Sequence, residues 1–132
     1  YLLARLKDTL SVSFDGPCMH EVLIDDYFLK DTGVTTLDFA KAMIDEGVHP
    51  MTMYFPLVVQ GALLMEPTET ESRESLENYI EMVLHLAHKA KSGNVQEFKN
   101  APKFTPRRRL DETKAARHPI LRWQPATPEA AE

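Results

Sequence analysis

His49, Thr52, Glu66, Thr68 and Glu69 are the residues of this chain best suited to act together. They sit toward the two ends of one stretch, "HPMTMYFPLVVQGALLMEPTETES", which runs from His49 to Ser72. A histidine held beside carboxylates can take up and release a proton near neutral pH. The same residues have structural uses as well. Pro50 and Pro67 shape turns, threonines cap helices, and glutamates at a helix start interact favourably with its dipole. His20-Glu21 is a second histidine–acid pair, at the start of a strand. The spacing names no substrate, so both readings stay open on these residues alone.

These side chains meet only if the elements beneath them fold in a particular register. Gln60-Gly61 lies between "YFPLVV" and "ALLME", and a two-residue loop ending in glycine predicts a hairpin. In that register Val59 faces Ala62, Leu57 faces Leu64 and Phe55 faces Glu66, which carries Thr52 to the side of Glu69. Tyr54–Val59 is thus expected to pair with Ala62–Glu66. Pro56 has no N–H and demands an edge or outward-facing position. A long helix is predicted from about Glu71 to Lys91, with Leu76, Tyr79, Ile80, Val83 and Ala87 inward and Gly93 as its stop. Glu69, Glu71 and Glu74 fall near its start, and Thr68 or Thr70 is expected to cap it.

A second helix is predicted in "TTLDFAKAMIDEG". Thr35 and Asp38 have capping-box spacing, Leu37, Ala40 and Ile44 form an apolar stripe, and Gly47 stands where a C-terminal cap belongs. "HEVLID" reads as a strand with Val22 and Ile24 on one face and Leu23 on the other. Tyr1 to Leu10 reads as helix, "YFLKDTG" as a polar connection, and "NVQEFKN" as a short helical turn.

The chain has 132 residues, 43% hydrophobic and 27% charged, which suits a single globular domain. A net charge of −5 argues against nucleic acid as the main partner. No apolar run approaches the roughly 20 residues that span a bilayer. Cys18 is the single cysteine, so no disulfide forms within the chain; a small, partly buried thiol in a reducing compartment is the expectation. The opening "YLLARLKDTL" reads like the middle of a helix, as in a piece of a longer protein. His85 and His88 could share a helix face, but no HExxH motif or cysteine pair accompanies them, so no metal ligands are assigned. From Ala101 onward five prolines and the cluster Arg107-Arg108-Arg109 read as an arm over the surface, frayed at its end. Such arginines can hold phosphate or carboxylate.

Six stretches in order, "YLLARL", "DGPCMHEVLI", "TTLDFAKAMIDEGVHPMTMYFPL", "ALLMEPTETESRESLENYIE", "NAPKFTPRRRLDE" and "AARHPILRW", resemble the C-terminal part of the glycine dehydrogenase (decarboxylating) family. This is the P-protein of the glycine cleavage system, and subunit 2 of its two-subunit bacterial form is the nearer match. Met51 departs from the second proline or alanine-proline pair usual there, and Arg107 from a smaller apolar residue. The resemblance implies an α+β fold: the small C-terminal domain of an aspartate-aminotransferase-like (fold type I) pyridoxal-phosphate enzyme, an antiparallel sheet with helices on one face. It implies the end of an inter-domain helix and linker over 1–17, the small domain over 18–101 and an extended arm over 102–132.

The resemblance further implies glycine as substrate, lipoylated H-protein as acceptor of the aminomethyl group, subunit 1 as partner in a heterotetramer, and a cytoplasmic setting. The lysine that binds pyridoxal phosphate is expected upstream, so this segment alone is expected to be inactive. His20, His49, Thr52, Glu66, Thr68 and Glu69 become candidates to line the cofactor cleft, and Arg108 and Arg109 candidates to bind a carboxylate. The strand–helix–strand–strand–helix order also fits an alternative, a ferredoxin-like regulatory or interaction module without catalysis.

Overall fold

The computed structural model describes residues 1–14 and 16–125. Its described elements run α1 (Leu2–Leu6), β1 (Val22–Ile24), a 3-10 turn (Asp26–Leu29), α2 (Thr36–Asp45), β2 (Thr52–Met53), β3 (Leu63–Met65), α3 (Arg73–Lys91), α4 (Val95–Asn100) and α5 (Glu112–Arg117). The strands form one antiparallel sheet in the order β1-β3-β2. This is the small α+β domain expected.

Period-2 alternation decides which side chains enter the core. Val22 lies opposite Met65 and Ile24 opposite Leu63, and all four are buried; Leu23 and Leu64 face each other on the other side, half-buried. α1 and α2 pack on α3, and α4 packs on α2. Leu2, Leu6 and Leu10 of the N-terminal segment enter the same core. Arg5 ties α1 to α3 through a 2.6 Å ion pair with Glu77. Phe39 sits at the centre, edge-on to Phe28 at 5.4 Å and stacked on Phe98 at 6.3 Å.

α2 begins with the capping box as expected. Thr35 Oγ1 accepts from the Asp38 N–H, and the Asp38 carboxylate accepts from the Thr35 N–H at 2.9 Å. Its inward face is rotated from the expected stripe. Of Leu37, Ala40 and Ile44 only Ala40 is buried; Thr36, Phe39, Ala40 and Met43 point in. Phe39 and Met43 are the larger apolar groups, and their burial sets the rotation. In α3, Ile80, Val83 and Ala87 are buried as expected, joined by Leu86 and Ala90, while Leu76 and Tyr79 lie at the margin.

Three further expectations are corrected. "YFLKDTG" is no polar connection, because its 3-10 turn buries Phe28 and Leu29. Helix at the N-terminus ends at Leu6, short of Leu10. Cys18 is exposed, in the segment that follows the turn at Gly16 and Pro17.

The C-terminal arm is fastened at its root. The N–H groups of Lys103 and Phe104 donate to the Asp45 carboxylate, and Arg109 donates to the carbonyls of Phe98 and Ala101 at 2.8 Å each. Arg109 also pairs with Asp38 at 2.7 Å, and Lys99 pairs with the same carboxylate. Beyond it the arm carries the exposed helix α5, which the sequence reading did not anticipate. The frayed end expected for the arm lies in 126–132, outside the described residues.

Burial pushes the Asp38 carboxyl up. Hydrogen bonds from Lys99, Thr35 and Arg109 outweigh that effect and bring it down to about 2. The folded value lies below the unfolded one, so the stabilisation is fully present above about pH 4 and is lost as pH falls toward 2. Asp38→Ala is expected to destabilise by about 2–4 kcal/mol in urea unfolding at pH 7, because two cations lose a shared anion and the Thr35 N–H loses its capping-box acceptor. The difference between wild type and variant is expected to shrink on acidification through that window.

Candidate functional site

The two ends of the His49–Ser72 stretch do meet, by a route other than the expected hairpin. Thr52 pairs with Leu64 and Met53 with Leu63, and the Tyr54 N–H donates to the Ala62 carbonyl at 2.8 Å. The antiparallel partner of β3 is therefore Thr52–Met53, not Tyr54–Val59. The cause is local. Tyr54 adopts a left-handed φ of 57° that ends β2, and residues 55–60 form an irregular loop in which the Val59 N–H donates to the Pro56 carbonyl. Pro56 lies in that loop and in no strand. Thr52 is thus opposite Leu64, not beside Glu69.

His49 and Glu66 nonetheless face one cavity. A groove of about 650 Å³ is lined by Gly47 to Met51, as the chain leaves α2, and by Met65 to Pro67, as it leaves β3. Glu71, Ser75 and Tyr79 of the α3 region complete it. Burial pushes the Tyr79 hydroxyl up, so it remains a neutral hydrogen-bonding group at neutral pH. His20 stands just beyond, with its Nε2 2.8 Å from Glu21 and 3.6 Å from Glu66. His49 and Glu66 therefore line the groove, and His20 reaches it through Glu66.

Thr52, Thr68 and Glu69 are exposed and outside the groove lining. The Thr68 and Thr70 hydroxyls hydrogen-bond each other at 2.8 Å. Neither caps α3. Ser72 does so, its Oγ accepting from the Ser75 N–H at 3.0 Å. Sequence reasoning passed over Ser72, although it stands immediately before the first helical residue. Arg109 already holds a carboxylate, that of Asp38, and Arg108 donates to the Asn100 carbonyl at 2.6 Å. Sequence reasoning also missed the His20–Glu21–Glu66 grouping, whose donor atoms lie within 4.8 Å of one another at the surface. The β1–β3 register, which pairs Val22 with Met65, sets Glu21 across from Glu66, and no local signal in the sequence marks that pairing. His85 and His88 are both exposed on α3.

Several lysines are engaged elsewhere in the domain. Lys89 and Lys103 pair with Glu97, Lys99 with Asp38, and Lys91 donates to the Thr9 carbonyl. Among the described residues no lysine lines the His49–Glu66 groove. Among the described residues no helix is long and apolar enough to cross a membrane.

The cap assignment carries a direct check. Ser72→Ala is expected to cost about 0.5–2 kcal/mol in urea unfolding, whereas Thr68→Ala is expected to stay within about 0.5 kcal/mol of wild type.

Comparison with known proteins bears on the whole arrangement. A family model described as the glycine dehydrogenase C-terminal domain matches residues 1–107. The chain is 63% identical over its full length to a probable glycine dehydrogenase (decarboxylating) subunit 2 of Caulobacter vibrioides, of which it covers 26%. It is 46% identical over 95% of its length to the protein of that description in Kosmotoga olearia, covering 26% of it, and 48% identical over 93% to that of Caldanaerobacter subterraneus, covering 25%. The chain thus spans about a quarter of the length of the curated relatives it matches. Strand order alone left a ferredoxin-like module open, and these matches favour the other reading: the chain belongs to the family of glycine dehydrogenase C-terminal domains.

Proposed function

We propose that this chain is the C-terminal part of a cytoplasmic glycine decarboxylase subunit. The parent enzyme releases CO2 from glycine and passes the aminomethyl group to the lipoyl arm of the H-protein, in partnership with subunit 1. Pyridoxal phosphate supplies the electron sink for such decarboxylation, and in this reading its lysine lies in the part of the parent outside this chain. In this reading residues 18–101 form the body of the small domain, 1–17 lead into it from the rest of the parent while packing Leu2, Leu6 and Leu10 into its core, and 102–132 form the arm.

One observation carries the reading. In a member of this family, the "HPM" and "MEP" segments converge on a single groove whose lining includes both His49 and Glu66. A groove of this kind can form one wall of a domain cleft, where it excludes water and offers a proton-transfer group to a small substrate. His20 lies 3.6 Å from Glu66, outside the groove lining. Arg109 is committed to Asp38, so in this reading the carboxylate of glycine is met by another part of the parent or by Arg108.

Two measurements test this. The isolated chain mixed with pyridoxal phosphate and borohydride is expected to give no stoichiometric adduct at one site; a single adduct at a lysine such as Lys41 would contradict the assignment. In the full-length parent, His49→Ala is expected to lower kcat/KM for glycine by about 10²-fold or more while the melting temperature holds. Unchanged kcat/KM with a fallen melting temperature would make His49 structural.

A further inference from the structure

One end of the sheet gathers two carboxylates and an imidazole. The ladder that pairs Val22 with Met65 sets Glu21 and Glu66 across from each other one step beyond it, and like charges so placed repel. His20 stands between them, its Nε2 2.8 Å from Glu21 and 3.6 Å from Glu66. One donor atom from each side chain lies within 4.8 Å of the others, and among the described residues no other three such groups come together.

The grouping is short of positive charge. Other carboxylates of this domain have firm basic partners: Asp38 has Lys99 and Arg109, and Glu97 has Lys89 and Lys103. Among the described residues Glu21 and Glu66 share only His20. With a neutral imidazole the three groups carry two negative charges, which a divalent cation would balance. All three are about half exposed, so an ion can reach them from solvent.

We infer that His20, Glu21 and Glu66 form a surface site for a zinc ion. One imidazole nitrogen and two carboxylate oxygens suit a metal of intermediate softness, whereas calcium and magnesium favour oxygen alone. Bonds of about 2.0–2.1 Å in tetrahedral geometry set donor atoms about 3.3 Å apart. The separations of 2.8 and 3.6 Å bracket that spacing, so small side-chain rotations complete the site while the adjoining ladder keeps the two glutamates side by side. Three protein ligands leave a fourth position for water. Glu66 also lines the His49 groove, so a zinc ion here neutralises its charge and withdraws it as a proton acceptor. The site itself stands apart from whether the groove acts in decarboxylation.

The test uses the full-length parent, stripped of metal with a chelator and titrated with zinc chloride against a chromophoric competitor at neutral pH. Wild type is expected to bind one zinc equivalent that His20→Gln and Glu66→Gln each weaken by about tenfold or more, while His85→Gln leaves it within about twofold. Both site residues are exposed, so the metal-free melting temperature of either variant is expected to match wild type. As a second readout, free zinc at about ten times its Kd is expected to slow diethyl pyrocarbonate modification of His20 about tenfold, followed by peptide mass spectrometry, and to leave His88 unaffected. Unchanged zinc affinity in either site variant, an equivalent lost with His85→Gln, or an unprotected His20 would overturn the inference. Neither readout depends on catalysis, so an inactive parent leaves both interpretable.

Discussion

A single buried carboxylate joins parts of this domain that lie far apart in the chain. Asp38 is 1% exposed, and its two oxygens receive the Thr35 N–H and hydroxyl, Lys99 from α4 and Arg109 from the arm. A lone buried anion would be costly; surrounded by two cations and a capping threonine, it becomes a junction. Once that junction closes, α2 has a fixed start, α4 has a fixed partner and the arm has a fixed root. Phe39 and Phe98, which follow from the same two helices, are then held face to face. Pairing with the arginine is stronger and more directional than a point charge would give, because the guanidinium also reaches two backbone carbonyls.

Much of this was legible in the residues. The Thr35–Asp38 spacing announced a capping box, Val22-Leu23-Ile24 announced a strand with two buried positions, and the apolar spacing from Ile80 to Ala87 announced the inner face of α3. These are local signals, set by periodicity and by unsatisfied N–H groups within a few residues. The second duty of Asp38 was not legible, because Lys99 lies 61 residues away and nothing in either neighbourhood marks the meeting. The hairpin register misled for a related reason. "YFPLVV" has the composition of a strand, but the left-handed Tyr54 diverts the backbone before it can pair. Apolar content there serves exposure, where composition alone predicts burial.

The candidate site shows the same division. His49 and Glu66 were singled out for their chemistry, and the fold brings both to one groove although the register that would have joined them is absent. They meet because α2 and β3 end at one edge of the domain. Thr52, Thr68 and Glu69 depended on the register itself, and without it they lie outside that groove. Resemblance to a family added what spacing could not, a substrate class and an expectation that the cofactor's lysine lies elsewhere.

The placement of the arm's two fastenings has a mechanical consequence. One is Asp38 in the first turn of α2 and the other is Asp45 in its last, separated by roughly 10 Å of helix. The same helix then runs through Gly47 directly into Val48 and His49 on the groove wall. α2 is thus a strut clamped at both ends by the arm and continuous with the groove. The fastening at Asp45 lies four residues from His49, at the end of α2 where the chain turns at Gly47 into the groove wall.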